Sequence, residues 1–200
     1  MATYKENKIK EETKAGPDEL RGKPSLSMIG LLVMELIIGY EWFVSGLTKV
    51  ARGDFTSGLT DELVEKSAGA PGWYASFLNG VIIPNGPIFG YMIEIAEILI
   101  GLAFIAGPLI WLFAWAQISD RVRRSILFFT AAAAIGGIFM ALNFHFANGY
   151  SHPWFMPEDS FDEGVDFDSL LVAVNFVIAV VNILLFGRLL RRINDRVVAT

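Results

Sequence analysis

The sequence predicts an all-α integral membrane protein: a four-helix transmembrane bundle with a short interfacial helical segment between helices 1 and 2. Three observations carry this. Of 200 residues, 54% are hydrophobic and only 18% charged, with a mean hydropathy of +0.48, outside the range of soluble domains. Four apolar runs each approach the ~20 residues that cross a bilayer as helix. Basic residues cluster in alternate connecting segments, as the positive-inside rule requires.

Residues 1–24 are polar and charged and form a solvated arm closed by Pro24. The first span runs from about Leu26 to Leu47; it is too long for a signal-peptide core and lacks a small-residue cleavage site. The second runs from about Ile88 to Ile110, the third from about Ile126 to Phe146, and the fourth from about Leu170 to Phe186. Residues 25–190 are thus one membrane domain, and 191–200 a basic tail. Helix is required because each backbone polar group in hydrocarbon must be satisfied within its own segment.

Thirteen of the sixteen Lys and Arg residues fall in the arm, the 2–3 loop and the tail, which places both termini in the cytoplasm. The outer loops carry ten carboxylates, six of them in Glu158, Asp159, Asp162, Glu163, Asp166 and Asp168. That run lacks the glycine placement of a calcium loop, so it reads as a solvated acidic segment and no metal site is expected. A net charge of −5 argues against nucleic acid as a partner. The absence of cysteine removes Fe–S clusters and thiol chemistry, and two histidines, one of them in an apolar segment, do not supply a bis-histidine haem site.

Within the 1–2 loop, Thr60-Asp61-Glu62 before Leu63 reads as the start of a short amphipathic helix. Pro71 opens a second, aromatic segment. Trp73, Tyr74 and Phe77 suit an interfacial belt, the preferred reading, or a lid over an intramembrane pocket. The run Ala131 to Gly137 offers small-xxx-small pairs, Ala132/Gly136 and Ala133/Gly137, for close helix packing.

Four acids fall within hydrocarbon: Glu35 and Glu41 in the first span, Glu94 and Glu97 in the second. Each costs roughly 2.5–3.5 kcal/mol at a membrane centre, so they are read as functional rather than as lipid-facing ions. Walking in from the span ends at 1.5 Å per residue puts Glu35 ~13 Å and Glu97 ~14 Å deep, sharing the midplane, with Glu41 and Glu94 in the outer third. Asn143, His145 and Asn175 also lie toward the outer half, so polar groups from all four helices converge there. Asn182 follows Asn175 by seven residues, near the same face.

The stretch GYEWFVSGLTKV (Gly39 to Val50), then WYASFLNGVIIPN and IEIAEILIGLAFIAG (Ile93 to Gly107), resembles the DoxX/DoxD family of small four-helix membrane proteins. The most specific parts are Gly46 and Lys49 as a Gly-x-x-Lys turn, and Glu97, Gly101 and Gly107 in the second span. The family includes the membrane subunit of a thiosulfate:quinone oxidoreductase. The resemblance therefore implies a quinone-linked membrane protein acting on a small sulfur oxyanion, often beside a second redox subunit, in the plasma membrane of a prokaryote. On that reading Glu94 and Glu97, supported by Glu35 and Glu41, exchange the protons of quinone chemistry. His145, Asn143, Asn175 and Trp73 are the candidate quinone pocket, and Lys49 and Arg52 attract the anion. The alternatives are a non-catalytic membrane subunit or assembly factor for a redox partner, and a proton-coupled small transporter.

Overall fold

The computed structural model describes residues 24–150 and 165–198. The polar arm and the acids Glu158, Asp159, Asp162 and Glu163 lie outside the described residues. Among those described there is helix and no strand. Helix α1 is Leu26–Arg52, α2 Phe55–Ser67, α3 Gly72–Phe77, α4 Gly86–Phe113, α5 Asp120–Ala147 and α6 Phe167–Val198. Four stretches are long and apolar enough to cross a membrane: Leu26–Arg52, Gly72–Phe113, Asp120–Ala147 and Phe167–Asp195.

Local chemistry sets the ends. Ser25 caps α1 by accepting a hydrogen bond from the Met28 N–H at 3.2 Å, and Ser119 caps α5 in the same way through Val122. Gly53, at φ +72°, ends α1 in the left-handed conformation and returns its N–H to the Lys49 carbonyl. The chain then turns directly into α2. The sequence places the start of this helix at Thr60, but it begins at Phe55; Thr60 lies inside it, facing Gly86 across a contact that leaves no room for a side chain there. Pro71 precedes α3, and a wide turn (Leu78–Ile82) and a tight one (Ile83–Asn85) carry α3 into α4 without a loop. Helix α6 runs on through the residues read as a tail, as far as Val198.

Helix α1 packs along α4, and α5 along α6; α4 and α5 join the two pairs, whereas α1 and α6 barely meet. A middle core of Trp42, Ile100, Phe104, Met140 and Ile178 is flanked by two others. One, around Leu32, Trp111, Leu127 and Leu189, closes the end where α4 turns into α5. The other, around Leu59, Leu63, Tyr74 and Leu78, lies beneath α2 and α3, which cap the opposite end. Outward-facing Ile95, Phe129, Ile135 and Leu184 leave an apolar exterior suited to lipid.

The α1–α4 seam is the closest approach in the bundle. A Cβ on Gly39 would lie 2.7 Å from the Phe104 Cβ, one on Gly46 2.9 Å from the Glu97 Cβ, and one on Gly101 2.6 Å from the Phe43 Cα. This register corrects the expected depths. Glu97 is level with Gly46, whereas Glu35 is level with Gly107, ~16 Å away along α1, so the two do not share a midplane. The cause is that α1 continues five residues past its expected end and α4 docks its start on α2. In the α5–α6 seam the close residue is Gly137, whose position abuts Asn175 at 3.0 Å. Ala132 is exposed and Gly136 meets only the Ile100 tip, so that pair does not carry the packing.

Candidate functional site

Beneath the α2–α3 cap lies a cavity of about 950 Å³. Trp42, Phe55, Phe77, Phe89, Phe139 and Phe144 give it aromatic walls. Its polar groups come mainly from the α1–α4 seam. Lys49 donates to both carboxylate oxygens of Glu97, at 2.7 and 2.9 Å, and to the Ser45 hydroxyl at 2.7 Å. All three ammonium protons are thus committed. Glu97 is 1% exposed and Lys49 22%, so the acid is buried and the base opens to the cavity, its charge 5.3 Å from the Phe55 ring centre. The motif residues explain the geometry. Gly46 lets the α4 backbone approach, Ser45 lies one helical turn before Lys49, and Gly53 ends the helix just beyond.

The cap is pinned to the bundle by polar side chains. Tyr74 donates its hydroxyl proton toward the carbonyl and side-chain oxygens of Asn143, both at 3.0 Å, and the Asn143 amide donates to the Phe139 carbonyl. Lys66 donates to Asn148 at 2.7 Å, and Asn148 in turn to Asp168 at 2.8 Å. Both Lys66 and Asp168 line the cavity.

Of the candidate site residues named from sequence, Glu41, Glu97, Lys49 and Asn143 line the cavity, as do Tyr74 and Phe77 of the aromatic segment. The others do not. Glu94 is buried in the corner where α4 passes the end of α1, one turn from Gly90, which abuts Thr56. Arg52 is exposed beyond the rim, and Trp73 is 62% exposed, edge-on to Tyr74 and Phe146, as an interfacial anchor would be. Asn175 is fully buried, its amide bonded to the Leu171 carbonyl one turn back and its oxygen unpartnered. Glu35 lies in the other half of the bundle. Sequence reasoning missed Ser45 and Asn148 and read Asp168 only as part of a solvated run; the spacing of Ser45 and Lys49 on one helical face was the available signal.

His145 is withdrawn from the cavity. It is 2% exposed, stacked on Tyr150, and its Nδ1 lies 3.1 Å from Asp166 Oδ2 and 3.2 Å from the Ser169 hydroxyl. Asp and Ser meet the same ring nitrogen, so this is not a catalytic relay, in which they occupy opposite nitrogens. It fastens the end of α5 to the start of α6. Two acids of the run read as solvated, Asp166 and Asp168, are therefore hydrogen-bonded parts of the fold.

Burial alone would push the Asp166 carboxyl up, but bonds from the Ser169 hydroxyl and N–H and from His145 hold it below its ordinary 3.8. A carboxyl lowered on folding contributes stability that is fully present above its unfolded value and lost as pH falls through the lower folded one. Among the described residues the charged neighbours in reach are His145 and Asp168. Asp166→Asn is therefore expected to flatten the loss of thermal stability on acidification below about pH 4. Superimposable acid limbs for variant and wild type would remove this role.

The acids lining the cavity (Glu41, Asp54, Asp61, Glu62, Glu97, Asp168) outnumber the bases, Lys49 and Lys66, so its field repels anions. No protein-family model, no curated protein and no solved structure matches this chain.

Proposed function

We propose that the cavity binds the headgroup of a membrane quinone or quinol and that the protein is a quinone-linked redox protein or subunit. The observation that carries the reading is the Lys49–Glu97 pair facing a large aromatic cavity in a bundle of apolar helices. Lys49 places a positive charge at the cavity wall that stabilises a reduced quinone oxygen, and the Glu97 carboxylate keeps lone pairs to accept from a quinol hydroxyl. Phe55, Phe139 and Trp42 offer flat apolar surfaces to a planar ring. The volume accommodates a headgroup and the first units of its tail. The resemblance to the DoxX/DoxD family supports the same reading, and the distribution of basic residues favours an outward-facing cavity with cytoplasmic termini.

A quinone accepts two electrons and two protons. Here the electrons come from a partner redox protein, and the two protons come from solvent, taken up and passed on at the cavity wall by the carboxylates of Glu97 and Glu41. The anionic lining favours a neutral ligand, so a sulfur oxyanion, if it is the reductant, reacts on the partner rather than in this cavity.

Tryptophan fluorescence tests the reading. A short-tailed ubiquinone or menaquinone analogue added to the purified chain is expected to quench emission saturably, with Trp42→Phe removing much of the response. Glu97→Gln is expected to weaken quinol binding about tenfold, equivalent to about 1.4 kcal/mol. No saturable quenching by either analogue would overturn the quinone reading in favour of a non-catalytic subunit.

A further inference from the structure

The half of the bundle away from the cap holds a second polar site. Glu35 is 6% exposed, ~14 Å along α1 from its start, and has no ion-pair or hydrogen-bond partner among the described residues. It borders a small cavity of about 20 Å³ with Gly107 and Trp111 of α4, Thr130 of α5 and Asn182 of α6.

The polar atoms around this cavity are complementary and unspent. The Trp111 indole N–H is buried and unpartnered, and stacking on Trp115 at 3.8 Å fixes its ring. Asn182 gives its amide N–H to the Ile178 carbonyl, which leaves its side-chain oxygen as an acceptor. Thr130, 2% exposed, both donates and accepts. Gly107 makes the room: a Cβ there would lie 3.0 Å from the Thr130 hydroxyl and 3.5 Å from Glu35 Oε1.

A space of this size holds one water molecule, which needs two to four polar partners. These residues supply them. The faces that α4, α5 and α6 turn to the cavity carry no other titratable or charged side chain. An ionised carboxylate here would be buried without a counter-charge, with nothing to offset its desolvation. A neutral carboxyl instead donates its O–H to the water. We propose that Glu35, Thr130, Asn182 and Trp111 form an inner site that holds one water molecule and one exchangeable proton, the proton residing on the Glu35 carboxyl. The site stands apart from the outer cavity, with Phe104 and Trp42 of the middle core between them.

Infrared difference spectroscopy on the full chain in detergent tests this without reference to any activity. Wild type at neutral pH is expected to show a protonated carboxyl C=O band that Glu35→Gln removes and Glu35→Asp displaces. In D2O the band is expected to shift down, marking an exchangeable proton. Thr130→Val, which deletes a hydroxyl, and Gly107→Ala, which fills the space of the water, are each expected to shift it toward the frequency of an unbonded acid. A Glu35 signal confined to carboxylate bands would overturn the proposal. So would an acid band indifferent to Thr130→Val, Asn182→Leu and Gly107→Ala alike, or one abolished by sodium or potassium, which would mark an alkali-cation site instead.

Discussion

Lys49→Met is expected to lower the free energy of unfolding by about 3 kcal/mol, and Lys49→Met/Glu97→Met to recover most of that loss. Glu97 is almost wholly buried, and its cationic partner is Lys49. Deleting the lysine removes both hydrogen bonds to the acid and leaves a desolvated charge, whereas replacing both partners with apolar groups leaves nothing unsatisfied. Met is unbranched and keeps the Cβ that packs against Gly46, so the double variant does not disturb the seam. Detergent-titrated unfolding of the four proteins of the cycle gives the coupling energy. A double variant as unstable as the sum of the singles would show that the pair is not a unit. Ser45 accepts from Lys49 as well, so Ser45→Ala is the milder probe of the same cluster.

Gly101→Ala is expected to cost a similar amount, about 3 kcal/mol, the upper end for overpacking. A methyl group there would meet the Phe43 backbone, with the Cα only 2.6 Å away. Backbone cannot rotate aside as a side chain does, so α1 and α4 would have to separate. That separation also pulls Glu97 away from Lys49. Gly30→Ala is the control: nothing lies within 4 Å of its added Cβ, and removing a helical glycine there gains up to about 1 kcal/mol of helix propensity. The same chemical change thus has opposite signs at two positions on the α1–α4 helices. Equal effects on the unfolding midpoint would contradict the register of the seam.

The four long apolar helices were legible because hydrocarbon length and the demand for internal backbone hydrogen bonding act on composition, which the sequence displays directly. The residues of the Gly-x-x-Lys turn and the Glu97/Gly101 pattern were legible as unusual, though not as one contact surface. Pairing Lys49 with Glu97 rather than Glu41 depends on the axial offset of two helices. That offset is set by α2 docking on Gly86 and Gly90, which no span-by-span depth estimate contains. His145 misled for a related reason. A polar residue near a helix end looks the same whether it faces a cavity or the neighbouring helix, and only the position of Asp166 and Ser169 across the 3–4 connection distinguishes the two. Six residues turn about 240° around a helix, so Glu35 and Glu41 face different neighbours. What that difference meant lay in Gly107, Thr130 and Asn182, which come from three other helices.

The junction from α3 into α4 carries a mechanical implication. Because residues Gly72–Phe113 continue through the two distorted turns as one helical stretch, they behave as a bent rod rather than as a flap on a string. A loop would absorb torque; this rod transmits it. Any displacement of α4 against Phe43 would therefore be felt both at Tyr74 and Phe77, beside the mouth, and at Glu97, at the floor. One rigid element thus spans the entrance and the Lys49–Glu97 pair, which ties the position of the rim to the geometry of the floor.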